Sequence, residues 1–318
     1  KKNYFLKSWL VIILIVLLDV FIEIIFGRNI LGYSAEGDNR IVSFFKDEPN
    51  IVGYLNGFVF LIFGYLILNF KEKSKINKLL IFLFFIISLL IISLSFERSN
   101  TIKFFIGVLI FFGMNQNIKL KFKILGLFLL AILVTTLFLN FSYFKTRYYN
   151  DFVYQIIDKD KREWMFENNR YIQIYKSGIE VFKNYPFFGV GNKNYRIEAC
   201  GDIPASHLHS IEKKKYNTFA CLTHPHQIYL EFLSEHGIVG TMLLLGIIFY
   251  LVFRNLKIIF LSKNFLQIGS FSYLLINFVP LIPSGLFFND FNANLFWLNF
   301  SILYAANSRT NIFHKLKN

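Results

Sequence analysis

Residues 51–70 read IVGYLNGFVFLIFGYLILNF, twenty positions without one charged side chain. A helix rises about 1.5 Å per residue, so roughly 20 mostly apolar residues are what the hydrocarbon layer of a bilayer demands. Seven further runs are mostly apolar, at 9–26, 79–95, 101–114, 124–144, 237–253, 265–284 and 291–306, the one at 101–114 being short and carrying Lys103 near one end. The expected fold is therefore all-α, a polytopic integral membrane protein with about 8 transmembrane helices. Composition points the same way. The 318 residues are 55% hydrophobic, include 41 Phe, and have a mean hydropathy of +0.47 with only 17% charged side chains, against about 25% in a soluble domain. A disordered chain, a coiled coil and a small disulfide scaffold are excluded.

The run at 9–26 follows a basic start, as a signal peptide would. It is too long for one, lacks a small-residue cleavage site, and contains Asp19 and Glu23, so it reads as a true span. Those two carboxylates lie four apart on one helical face. At bilayer depth each costs about 2.5 to 3.5 kcal/mol and calls for a function or a partner.

The formal net charge is +14, a value that in a soluble protein raises the question of nucleic-acid binding. Its distribution answers that question. Segments 1–8, 71–78, 117–123, 254–264 and 307–318 hold 16 Lys/Arg and one acid, Glu72, while the rest of the chain is nearly neutral. By the positive-inside rule these segments, and both termini, are expected to be cytoplasmic. No nucleic-acid partner is expected. The opposite side receives a loop at 27–50, a tight turn at 96–100, a long segment at 145–236 and a short loop at 285–290. The chain thus divides into an N-terminal membrane region (1–144), an outer loop region (145–236) and a C-terminal membrane region (237–318).

The segment 145–236 is far longer than an ordinary connection and is expected to be folded and functional. Tyr171, Ile174, Tyr175, Gly178, Ile179 and Phe182 recur at helical spacing and predict an amphipathic helix over 169–184. Pro186, Gly189 and Gly191 break it, and Gly189-Val190-Gly191 reads as a turn in preference to a phosphate cradle. Thr223 is the expected N-cap of a second helix that runs through 227–235 into the span beginning at Gly237. Pro280 and Pro283 kink or end the span at 265–284. Cys200 and Cys221 are a disulfide candidate worth about 3 kcal/mol, the alternative being two unpaired thiols.

Chemistry-bearing residues gather on the outer side: Arg98 in the tight turn, Arg170 opening the amphipathic helix, and His224 and His226 in THPHQIYLEFLSEHGIVG (223–240). An arginine offers a planar fork of donors that suits a diphosphate, and a histidine can serve as general base near neutral pH. Together they fit transfer of a group from a lipid diphosphate. Taken singly, Arg98 also reads as an interfacial anchor or a partner of Glu97, and Arg170 as a solvated helix residue. The pairs His207/His209 and His224/His226 raise a zinc reading, but no third ligand has a matching spacing. No metal is expected.

In order, the chain presents SLSFERSN (93–100), NNRYIQIYKSGIEVF (168–182), NYPFFGVGNKNY (184–195) and HPHQIYLEFLSEHGIVG (224–240), with FGRNILGYSAEGDNRIVSFFKDEPNIVGYL (26–55) and PSGLFFND (283–290) as further matches. This ordered set resembles the O-antigen ligase family, which also contains O-antigen polymerases and protein O-oligosaccharyltransferases. The resemblance implies a multi-pass enzyme of the bacterial cytoplasmic (inner) membrane with its active site facing the periplasm. Its donor would be an undecaprenyl-diphosphate-linked glycan, its acceptor a lipid A-core or another glycan, and no cofactor would be needed. Arg98, Arg170 and His226 take the catalytic roles. Arg40 becomes a donor or glycan contact, His224 a substrate contact, and Glu231 and Glu235 either supports for His226 or solvated helix residues. The alternatives are a polymerase of the same family or, from another class, a transporter or flippase using Asp19 and Glu23. Two departures stand out: Glu97 precedes Arg98 where the family turn reads closer to Ser-Arg-small, and family members have more spans, so further chain is expected ahead of Lys1.

Overall fold

The computed structural model describes residues 2–34, 40–46, 50–70, 75–116, 119–154, 157–200 and 222–311. All regular structure among them is helical: α1 (Lys2–Phe26), α2 (Ile51–Phe70), α3 (Lys75–Leu94), α4 (Arg98–Met114), α5 (Leu120–Asn140), α6 (Arg170–Asn184), α7 (Ile228–Arg254), α8 (Phe265–Ile276) and α9 (Asp290–Ala305), with shorter helical pieces between. By length and composition, five helices among the described residues can cross a membrane: 4–26, 51–69, 75–94, 123–140 and 228–262. The three other expected spans correspond to α4, α8 and α9, of 17, 12 and 16 residues. The run at 265–284 is corrected. Its helix stops at Ile276, because Pro280 and Pro283 cannot donate to a helical ladder and disfavour helix at the residue before them.

The chain forms two compact units. The first comprises Lys1–Tyr148, Asn255–Ile276 and Asn294–Asn318. At its centre α2 buries Val52, Leu55, Val59, Phe60, Leu61 and Ile62. Gly64 and Gly269 bring α2 and α8 together: a Cβ on Gly64 would fall 2.3 Å from the Phe265 carbonyl oxygen, and one on Gly269 2.3 Å from that of Phe60. Small residues let two backbones touch where lipid supplies no hydrophobic drive. On α5, by contrast, Leu125, Leu127, Phe128, Leu129 and Ile132 stand exposed, the surface a helix presents to acyl chains.

Asp19 and Glu23 are both buried in this unit and engaged by the loop that follows α1. Asp19 accepts from the Ile30 amide (2.9 Å) and the Ser43 hydroxyl. Glu23 accepts from the amides of Val42 (3.0 Å) and Ser43 (2.7 Å). They are thus anchors for a loop, which removes the observation on which the transporter alternative rested. Replacing Glu23 by Ala strands two buried amides, each costing about 1 to 3 kcal/mol. The expected result is a clear fall in the thermal midpoint of the detergent-solubilised protein; a solute-coupling carboxylate would instead show lost function at an unchanged midpoint.

The second unit comprises Tyr149–Arg254 and Asn277–Ala293. The predicted amphipathic helix is present as α6, capped by the Asn169 side chain, which accepts from the Tyr171 amide at 2.9 Å. Its apolar face, with Ile174, Gly178 and Val181, is buried. The start of α7 differs from expectation. Gln227, not Thr223, caps it, its side-chain oxygen accepting from the Leu230 amide at 2.9 Å, while the Thr223 hydroxyl pairs with His224 Nδ1 at 3.0 Å.

At Gly237 α7 is interrupted by φ 62°, ψ −173°, a conformation essentially reserved for glycine. The segment 186–191 fills the interruption. Ile238 and Val239 donate to the carbonyls of Pro186 (2.8 Å) and Phe187 (3.1 Å), while Val190 and Gly191 donate to those of Ser234 (3.0 Å) and Glu235 (2.8 Å). The Gly189-Val190-Gly191 turn is therefore an interlock with a broken helix.

Candidate functional site

Two features of the second unit meet at the sequence His224-Pro225-His226. The first is the N-terminus of α6. Arg170 is its first residue and is exposed, so a guanidinium projects where the helix dipole already favours negative charge. The second is a non-helical strap at 277–289. Tyr229 donates its hydroxyl to the Phe278 carbonyl (2.6 Å), Tyr175 donates to that of Leu281 (3.5 Å), and both carboxylate oxygens of Glu231 accept from the Phe287 amide at 3.0 Å. Between these features the histidine turn is held from several directions. Pro225 lies against Gly178 of α6, the Ser284 amide donates to the His226 carbonyl (2.8 Å), and Gln227 caps the helix that follows.

His226 adopts φ +49°, the left-handed region. For a non-glycine residue this costs about 1 to 3 kcal/mol and persists only where the surroundings enforce it, most often at functional sites. Its ring is partly exposed. The His224 ring lies 4.0 Å away centroid to centroid, and the Tyr171 ring meets it edge-on at 6.1 Å. Burial holds the His226 imidazole below its ordinary pKa; the Ser284 backbone opposes this and the nearby Arg170 charge adds to it. His224 is pulled down further, to about 3, first by burial and then by the neighbouring His226. Both imidazoles are thus neutral at pH 7, which leaves His226 able to accept a proton.

The structure therefore brings together Arg170, His224 and His226, three of the residues singled out by sequence. Glu231 and Glu235 lie on α7 but are fully buried, so neither solvates the helix. Glu231 fixes the strap through Phe287, and Glu235 is buried against the backbone at Lys193 and Tyr195. Two residues that sequence reasoning passed over complete the site. Tyr171 edges the imidazole of His226. Ser284 sits in the quoted PSGLFFND segment, where the only signal was a pair of prolines around Leu281, itself at φ +64°.

Arg98 and Arg40 belong to the first unit. Arg98 opens α4, and its Nη1 donates to the Arg147 carbonyl at 3.1 Å. The adjacent Glu97 has other engagements: it accepts from the Val52 amide at the start of α2 and from the Asn100 side chain, both at 2.9 Å. Burial pushes its carboxyl up to about 7, against these hydrogen bonds and the Arg40 charge. Cys200 is buried with its Sγ 3.8 Å from the Leu222 carbonyl oxygen; Cys221, His207 and His209 lie outside the described residues. Among the described residues no three His, Cys, Asp or Glu side chains gather as metal ligands would.

No curated protein matches the chain. A family model described as O-antigen ligase matches residues 82–245, a stretch that holds the turn with Arg98, all of α6 and the histidine turn. With helices suited to crossing a membrane and this match over more than half of its length, the chain belongs to the O-antigen ligase family.

Proposed function

We propose that the protein is a glycosyltransferase of the O-antigen ligase type. It transfers a glycan from undecaprenyl diphosphate to a lipid A-core or related acceptor at the periplasmic face of the bacterial inner membrane. The observation that carries this reading is the juxtaposition of a strained, neutral His226 with the Arg170 guanidinium at the N-terminus of α6. In the reaction the acceptor hydroxyl oxygen attacks the anomeric carbon of the donor, and the bond from that carbon to the diphosphate oxygen breaks. His226 takes the hydroxyl proton, and undecaprenyl diphosphate leaves with the electron pair. Arg170 binds the diphosphate and stabilises the charge that grows on it. The donor's own leaving group supplies the driving force, so the scheme uses no metal or nucleotide. Arg98 and Arg40 carry a donor-binding role by resemblance alone, tested separately by Arg98→Ala and Arg40→Ala.

Because His226 acts in its neutral form, activity is expected to be level around neutral pH and to fall in acid as the imidazole protonates. Arg170 depresses that protonation, so removing its charge raises the His226 pKa and moves the acid limb to higher pH. Arg170→Gln should therefore lose rate and shift the limb upward; Arg170→Lys should lose rate, because a point charge cannot grip a diphosphate bidentately, while leaving the limb in place. A pH–rate profile of both variants checks this.

Electrophoresis of lipopolysaccharide from a strain lacking the protein tests the reaction class. Unsubstituted core with accumulated lipid-linked polymer is expected. Core bearing a single repeat unit would instead mark a polymerase of the same family, and unaltered lipopolysaccharide would contradict both.

A further inference from the structure

The strap at 277–289 has no regular structure, yet Tyr175, Tyr229 and Glu231 all pin it. What this pinning delivers to the histidine turn is Ser284. Its amide is spent on the His226 carbonyl, whereas its hydroxyl is buried with no hydrogen-bond partner among the described residues. A second orphan lies close by. His224 is 8% exposed, its Nδ1 is engaged by Thr223, and its Nε2 is buried without a hydrogen-bond partner among the described residues, with the Ser284 backbone beside the ring. Buried polar atoms are normally paired, and two orphans beside one strained residue call for a ligand.

We propose that Ser284 Oγ and His224 Nε2 bind the acceptor sugar, holding the hydroxyl that His226 deprotonates. The inference rests on the transfer reading above and adds to it the substrate that these two atoms recognise. The chemistry of the pair selects an alcohol. A serine hydroxyl and a neutral imidazole nitrogen between them give and take one hydrogen bond, the complement of a sugar hydroxyl. A diphosphate calls for cationic donors, and those lie with Arg170 at the start of α6. Donor phosphate and acceptor alcohol thus have different partners around His226.

The test uses the full chain in proteoliposomes, with lipid-linked glycan and lipopolysaccharide extracted from a strain lacking the protein as donor and acceptor probes. Ser284→Ala, and His224→Phe with its ring contact to His226 retained, are expected to raise the acceptor KM about tenfold. The donor KM should stay within about twofold. Ser284→Ala should keep the wild-type thermal midpoint, since the lost hydroxyl has no partner among the described residues, whereas His224→Phe also gives up the Nδ1 pairing with Thr223 and should lower it by no more than that one part-buried hydrogen bond. An unchanged acceptor KM overturns the inference, as does a rise confined to the donor KM or a lowered midpoint with the acceptor KM intact. If the wild type transfers nothing, the transfer reading itself falls and the inference with it; if the wild type transfers and the variants keep its acceptor KM, the inference alone is lost.

Discussion

His226→Ala is expected to reduce glycan transfer by about 10²- to 10⁴-fold, the range that a positioned general base contributes, while the protein stays in the membrane at wild-type level. The reasoning starts from the backbone. A histidine at φ +49° gains nothing locally from that conformation, and the Ser284 hydrogen bond, Pro225 packed on Gly178 and the Gln227 cap together maintain it. Alanine tolerates the same conformation about equally badly, so stability should change little. What is lost is one partly exposed, neutral imidazole beside Arg170. The check is surface polysaccharide in a complemented deletion strain, read with membrane abundance by immunoblot. Normal attachment by both His226→Ala and Arg170→Ala would remove the site from the reaction.

Gly237→Ala is expected to act in the opposite way, on the fold and not on the chemistry. A Cβ there would lie 2.3 Å from both the carbonyl carbon and oxygen of Phe187 and 2.4 Å from the Phe188 nitrogen, all backbone atoms with no flexible end to give way. The dihedrals are also closed to any residue with a Cβ, at a cost of about 1 to 3 kcal/mol before the clash is counted. The segment 186–191 must then leave α7, freeing the amides of Ile238, Val239, Val190 and Gly191 together. The expected outcome is protein largely lost from the membrane fraction, and a strongly lowered midpoint in whatever remains. Wild-type abundance and midpoint would show that the interlock is dispensable.

Much of this fold was legible because it follows from one-dimensional rules. Mostly apolar runs of about 20 residues announced α1, α2, α3 and α5, and apolar residues at helical spacing announced α6 to within a residue. The misreadings share a cause: tertiary contacts decided matters that local pattern left open. The run at 265–284 is uncharged throughout, but only the part before Pro280 and Pro283 winds into helix, and the remainder becomes a strap fixed by side chains far away in sequence. Thr223 looked the better cap, yet its hydroxyl is committed to His224 and the duty passes to Gln227. Asp19 and Glu23 were recognised as needing partners; that the partners would be loop backbone amides up to 20 residues away and a serine hydroxyl 24 away was not inferable from spacing. At the site, side-chain types marked Arg170 and the two histidines. Ser284 escaped notice because its significance lies in an unsatisfied hydroxyl, which no sequence pattern displays.

The most direct measurement follows the fate of the diphosphate bond. Purified protein is reconstituted into vesicles with undecaprenyl-diphosphate-linked glycan and lipopolysaccharide acceptor, and the lipid products are resolved. Free undecaprenyl diphosphate should appear in equal amount to glycosylated acceptor with the wild type, and both should fall by about 10²- to 10⁴-fold with His226→Ala. Donor moved across the bilayer with its glycan still attached, and equally by both proteins, would contradict a transferase built around His226.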